Sequence, residues 1–130
     1  KVVLDVGAGT GILSMFAAKA GARRVYAVEA ASKVAALAEQ LVRANGLDGT
    51  VDVIKSRVED AALGVTVDVI VSEWMGFYLL HESMIHSVIS ARDKYLRPGG
   101  SMLPSAVCIF AAPSSMLAQW TSRVGFWANQ

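Results

Sequence analysis

Glu73, in Ser72-Glu73-Trp74-Met75-Gly76, and Glu82, in His81-Glu82-Ser83-Met84, stand nine residues apart. If the chain doubles back between them, both carboxylates face one pocket. Such a pair suits a guanidinium, a planar cation with five N–H donors, because carboxylates bonded to its edges fix its plane and orient one nitrogen. A guanidinium needs that help to react, since its pKa is at least about 12 and its nitrogen lone pairs are delocalised into the cation. Carboxylates on the other nitrogens would hold positive charge away from the one that must act as nucleophile. Alignment at a near-attack distance of about 3–3.5 Å would then supply much of the acceleration, and one carboxylate could receive the released proton, directly or through water. On spacing alone, two glutamates in a loop are more often solvated than catalytic. The pair needs a second signal.

A glycine loop near the start of the chain carries chemistry of its own. Leu4-Asp5-Val6-Gly7-Ala8-Gly9-Thr10-Gly11 follows an apolar run and opens a helical pattern, the place where an α/β sheet binds a nucleotide-like ligand. Gly7, Gly9 and Gly11 allow tight turning and close backbone approach. Their spacing is Gly-x-Gly-x-Gly rather than Gly-x-Gly-x-x-Gly, which argues against a nicotinamide or flavin dinucleotide, and the lack of a Gly-Lys-Ser/Thr ending excludes a Walker-type triphosphate loop. Glu29, 18 residues after Gly11, ends the next strand pattern, where an acid can accept hydrogen bonds from both ribose hydroxyls. Glu59, in Arg57-Val58-Glu59-Asp60, holds the matching place after the third strand, within reach of an exocyclic adenine amine. Asp5 is expected to combine two tasks, tying down loop amides and facing a cationic end of the ligand.

The elements that must position these residues follow from periodicity. Val2–Val6 reads as a strand, and Leu13, Phe16, Ala17 and Ala20 recur at helical spacing up to Gly21. Val25–Val28 is the next strand, and Ser32 is expected to cap a helix with the apolar face Val34, Leu37, Ala38, Leu41 and Val42, ended at Asn45-Gly46. Val51–Val58 alternates, Val67–Val71 is a buried-type run, and Glu82–Leu96 reads as a helix stopped by Pro98-Gly99-Gly100. Ser101–Ala112 is expected as a further strand. Alternating strands and helices predict an α/β fold with a doubly wound, mostly parallel sheet whose ligands lie at the carboxyl ends of the central strands.

At 130 residues the chain fits one domain, and with 54% hydrophobic and only 18% charged residues it suits a sheet covered on both faces. The net charge of +1 offers no field for nucleic acid or anionic lipid, so a basic substrate must be captured by local carboxylates. No apolar run approaches the roughly 18 residues of a spanning helix. Cys108 is the single cysteine, which excludes an intrachain disulfide and suits a reducing compartment. Its Val-Cys-Ile-Phe setting predicts a core position. Trp120, Phe126 and Trp127 read as an interface or the start of another element, or equally as ordinary core aromatics.

Val3–Ser14, with Glu29 and Glu59, resembles the cofactor motifs of the seven-stranded, Rossmann-like class I S-adenosylmethionine methyltransferases. A sulfonium cofactor has no pyrophosphate, which agrees with the glycine spacing. Ser72–Gly76, Leu79–Met84 and Leu96–Pro104 resemble the double-glutamate loop and the motif that follows it in type I protein arginine N-methyltransferases, over Lys1 to about Pro113. The resemblance implies S-adenosyl-L-methionine as cofactor, with Asp5, Gly7, Gly9, Gly11, Glu29, Val58 and Glu59 binding it, and no metal. It implies that Glu73 and Glu82 grip a protein arginine to give mono- and asymmetric dimethylarginine. Trp74, Met75 and Met84 would line the substrate pocket, Met84 influencing how many methyl groups fit.

The implied partners are histones or arginine/glycine-rich tails, with no direct nucleic acid and no membrane. The implied parent is a homodimer in the nucleus or cytoplasm, the nucleus favoured because His81 and Gly21–Ala30 resemble a nuclear, histone-modifying subtype. Residues 1–113 are then the methyltransferase core, and 114–130 connect toward a C-terminal β-barrel. The family's Tyr-Phe-x-x-Tyr segment and the barrel's Thr-His-Trp loop are absent from these residues. Two other readings stay open: a methyltransferase acting on another nitrogen, and a cofactor-binding module without turnover.

Overall fold

The structure is a computed structural model that describes residues 1–125. Five strands, β1 (Val2–Val6), β2 (Arg24–Glu29), β3 (Val51–Lys55), β4 (Val67–Val71) and β5 (Leu96–Leu103), form one sheet in the order β3-β2-β1-β4-β5. Every pairing is parallel. Helices α1 (Ile12–Lys19), α2 (Ser32–Ala44) and α3 (Ile85–Tyr95) connect the strands, and α4 (Leu117–Arg123) follows the sheet.

All five residues of β1 are buried, as a central parallel strand requires when both sheet faces are covered. The two-residue repeat of a strand sorts its side chains. Val2, Leu4 and Val6 enter a core with Val28, Val67, Ile70 and α3, whereas Val3 joins Met15, Val25 and Val42 beneath α1 and α2. The chain winds outward from β1 in both directions, so the β1–β4 boundary is where connections diverge to opposite faces. The crevice at the carboxyl ends of these two strands is the ligand position of such a sheet. Both the glycine loop and the Ser72–Met84 loop leave from it.

Tertiary contacts altered several local expectations. The strand read as Val51–Val58 ends at Lys55, because the chain turns at 57–61, where Asp60 and Ala61 donate amides to Arg57 O. Ser32 is the first helical residue rather than the cap; Ala31 occupies the cap position without a side-chain cap bond. Phe16 is exposed, and the buried residues of α1 are Ser14 and Met15. The helix read from Glu82 begins at Ile85, since Ser83 has φ 56° and ends a series of tight turns. The last strand is shifted: it starts at Leu96, absorbs Pro98-Gly99-Gly100 in an irregularity between the Val67–Leu96 and Val69–Ser101 pairs, and stops at Leu103. Residues 104–115 form no strand, so Cys108 is exposed instead of buried. Trp120 is also exposed, while Phe126 and Trp127 lie outside the described residues. Among the described residues no helix is long and apolar enough to cross a membrane.

Candidate functional site

The glycine loop is pinned at its start by β2: Gly7 and Ala8 both donate amides to Val28 O, at 2.9 and 3.0 Å. Gly7, Gly9 and Gly11 have φ of 71°, 56° and 83°, left-handed values that side chains disfavour. The loop thereby turns from β1 into α1 with its backbone facing the crevice. Glu29 holds it from the other side, Oε2 accepting the Gly9 amide at 2.9 Å and Oε1 the Ala31 amide at 2.8 Å. One carboxylate thus joins the glycine loop to the start of α2.

A cavity of about 260 Å³ opens beside this loop, lined by Gly7, Glu29, Val58, Glu59, Met84 and Ser87 among others. That is near the lower end of the roughly 300–1,000 Å³ of ligand clefts. Four of the expected cofactor residues meet here. Gly9 and Gly11 shape the loop without lining the cavity. Asp5 does not line it either: its side chain is buried on the α1 side, where Oδ2 accepts the Ser14 hydroxyl at 2.6 Å. The expected ties from Asp5 to the loop amides are not made; Val28 O and Glu29 serve Gly7, Ala8 and Gly9 instead.

Asp5 Oδ1 has no hydrogen-bond partner, and burial pushes the carboxyl up to about 6 against the lowering effect of Ser14 hydrogen bonds, with the Glu29 charge adding to the rise. The folded state therefore holds this proton more tightly than the unfolded chain. Its stabilising effect is complete below pH about 4 and is lost as pH rises through about 6. We expect wild-type stability, relative to Asp5→Asn, to fall by on the order of 2–3 kcal/mol between pH 4 and pH 7.5. Denaturant unfolding of both proteins across that range measures it, and parallel stability curves would refute the assignment.

Glu59 is fixed by α3. Its Oε1 accepts the Ser87 hydroxyl at 2.6 Å, and Arg57 Nε lies 3.6 Å from Oε2. The Ser87 bond is the foremost reason the Glu59 carboxyl sits below its usual range, with a bond from its own backbone and the Arg57 charge acting the same way. Ser87 was not singled out by the sequence reading. Its available signal was its place one helical turn after Met84, on the same face of the helix.

The second loop begins at Ser72, whose hydroxyl donates to Val6 O at 2.7 Å and whose amide donates to Leu103 O at 3.0 Å. The end of β4 is therefore fixed to both neighbours immediately before Glu73. Trp74 is 7% exposed and belongs to the core under α3. It anchors the loop.

Gly76 and Leu79 then exchange backbone hydrogen bonds of 3.3 and 2.9 Å, with Tyr78 and Leu79 at φ 52° and 63°. The chain doubles back as expected. A Cβ on Gly76 would lie 3.1 Å from Glu82 Cγ, so Glu82 packs on the backbone three residues beyond Glu73. Both acids are exposed on this one loop at the carboxyl end of β4. Met75 is exposed as well, whereas Met84 reaches over Gly7, its Cε in the space a Gly7 Cβ would need, and lines the cavity. His81 meets Phe77 edge-on at 6.3 Å.

The donor set fits the cofactor implied by the sequence. Glu29 and Glu59 give the cavity two carboxylates, a poor lining for phosphates but a good one for the hydroxyls and amine of an unphosphorylated nucleoside with a cationic sulfur. The left-handed glycines keep the loop free of side chains on that side.

The arrangement of a parallel sheet, glycine turn and acidic strand ends is that of a methyltransferase, and the chain belongs to the methyltransferase domain family, whose model matches residues 3–100. Its relatives are more particular. It is 56% identical over 129 residues to protein arginine N-methyltransferase 6 of Danio rerio, covering 99% of this chain and 36% of that one. The crystal structure of Arabidopsis thaliana protein arginine methyltransferase 10 superposes with a TM-score of 0.78 at 60% identity, over 79% of this chain and 29% of that one. A crystal structure of PRMT6–SAH gives 0.82 at 38% identity over 98% and 44%. The chain spans about a third of the length of the curated relatives it matches.

Proposed function

We propose that this chain is the cofactor-binding and acceptor-orienting core of a protein arginine N-methyltransferase. The observation that carries this reading is the loop from Glu73 to Met84, which folds back so that Glu82 packs on Gly76 with both glutamates exposed, and whose Met84 lines the cavity beside the glycine loop, Glu29 and Glu59. S-adenosyl-L-methionine, when bound, supplies an electrophilic methyl group on a sulfonium. The chain's residues do the rest.

Glu29 and Glu59 would hold the nucleoside, each retaining lone pairs beyond those already engaged, since a carboxylate offers about four acceptor sites. Met84 marks where the cavity meets the acceptor loop. Glu73 and Glu82 would bind the guanidinium, their negative charge drawing the cation's positive charge toward the bound nitrogens and leaving the remaining one as the nucleophile. Because neither acid is neutralised by an ion pair among the described residues, both are available to a cationic substrate. After transfer, the surplus proton on the product nitrogen passes to one of these carboxylates or to water.

The expected products are mono- and asymmetric dimethylarginine, the expected substrates histone or arginine/glycine-rich tails, and the expected setting a nuclear homodimer. The resemblance of the double-glutamate loop to type I protein arginine N-methyltransferases supports these finer points. Incubating the full-length protein with a histone-tail peptide and S-adenosylmethionine should yield peptides methylated on arginine, read by fragmentation mass spectrometry. Methyl groups confined to lysine or to small molecules would overturn the reading.

A further inference from the structure

Resting on that reading, the geometry points to Ser87 as a positioning residue that aims the Glu59 carboxylate at the amine of the cofactor's base and so makes the site selective for an unsubstituted amine. Glu59 stands in an irregular turn after β3, and the side chain of a residue in such a turn has several orientations open to it. Four bonds from three residues of α3 remove that freedom. Ser87 Oγ donates to Glu59 Oε1 at 2.6 Å, Lys94 Nζ donates to Glu59 O at 2.9 Å and to Ala61 O at 2.8 Å, and the Tyr95 hydroxyl donates to Ala61 O. Lys94 and Tyr95 fix the backbone of the turn. Of these three residues, Ser87 is the one that reaches the carboxylate itself.

The competing partner is visible. Arg57, exposed and 3.6 Å from Oε2, would draw the carboxylate toward solvent once the hydroxyl were removed. With the hydroxyl in place, Ser87 and Glu59 line the same cavity, and the second lone pair of Oε1 remains for an N–H donor. α3 also continues directly from the loop bearing Glu82 and Met84, so the helix that sets Glu59 is the one whose start sets the acceptor loop. Base recognition and acceptor placement thereby share one rigid element.

The test uses the full-length protein with S-adenosylhomocysteine and its N6-methyl derivative, titrated calorimetrically, and steady-state transfer with S-adenosylmethionine. Ser87→Ala should weaken S-adenosylhomocysteine binding about five- to tenfold and raise KM for the cofactor in proportion, with a much smaller change in kcat. The discrimination against the N6-methyl derivative should shrink. Ser87→Thr, which keeps the hydroxyl, should restore both. A purely structural role would lower thermal stability in Ser87→Ala without altering N6-methyl discrimination, and that outcome overturns the inference. So does unchanged affinity in a folded Ser87→Ala. Failure of the wild-type protein to bind S-adenosylhomocysteine would overturn the methyltransferase reading itself, a separate and recognisable result.

Discussion

Replacing Glu73 with glutamine should reduce methyl transfer by on the order of 100–1,000-fold while changing cofactor affinity less than about twofold. The substitution keeps the shape of the side chain but removes its charge, and it puts an NH2 donor where a guanidinium presents donors of its own. The loop should tolerate it, because Glu73 is exposed and makes no hydrogen bond among the described residues, whereas neighbouring Ser72 and Trp74 carry the anchoring. Glu82→Gln should show a loss of the same kind, and the double variant should lose little beyond the worse single one, since the proposed role has both acids act on one cation. Transfer from labelled cofactor under saturating conditions measures the effect, with calorimetric titration of S-adenosylhomocysteine as the control. Undiminished methylation by Glu73→Gln would dispose of the guanidinium-orienting role.

Glu29→Ala has the second-largest expected effect, and it falls on binding instead of turnover. One carboxylate accepts the Gly9 amide and the Ala31 amide, so its removal frees both the glycine loop and the start of α2. The side chain proposed to meet the ribose hydroxyls is lost with it. With hydrogen bonds to charged groups contributing about 1.5–3 kcal/mol each, cofactor affinity should fall roughly 100-fold and folding stability by about 1–2 kcal/mol. Glu29→Gln is the informative companion. Its amide group has only one acceptor oxygen for two backbone donors, and the NH2 must face one of them, so the loop should be only half restored. Titration of both variants, together with their denaturant midpoints, checks this; equal affinity for wild type and Glu29→Ala would remove Glu29 from the site.

Much of this was legible before any coordinates. The strands Val2–Val6 and Val67–Val71 agree with the structure residue for residue, because a strand buried on both faces is a short unbroken apolar run with few alternatives. The glycine turn was readable because only glycine takes the φ values found there without strain. Glu29 and Glu59 line one cavity, as their places at or after strand ends lead one to expect. Where the reading failed, the deciding contact was remote. Asp5 was given to the loop amides because it adjoins them in sequence, but strand pleating turns it to the opposite face, against Ser14. The resemblance sets Trp74 beside the substrate, and the side chain packs into the core beneath α3, which its acidic neighbours in sequence do not foretell. Cys108 sits in an apolar run that only a neighbouring strand could bury, and residues 104–115 have none beside them.

The sequence by itself determined the winding of the chain, the glycine turn, and which acids could serve a nucleoside and a guanidinium, because periodicity, φ preference and charge are properties of residues and their immediate neighbours. Only the tertiary structure decided that Glu82 folds back onto Gly76, that Met84 lies over Gly7, and that Ser87 reaches Glu59 across 28 residues of chain. Those relations depend on where β4 and α3 come to rest against β1 and the turn after β3, and packing between distant segments has no local signature.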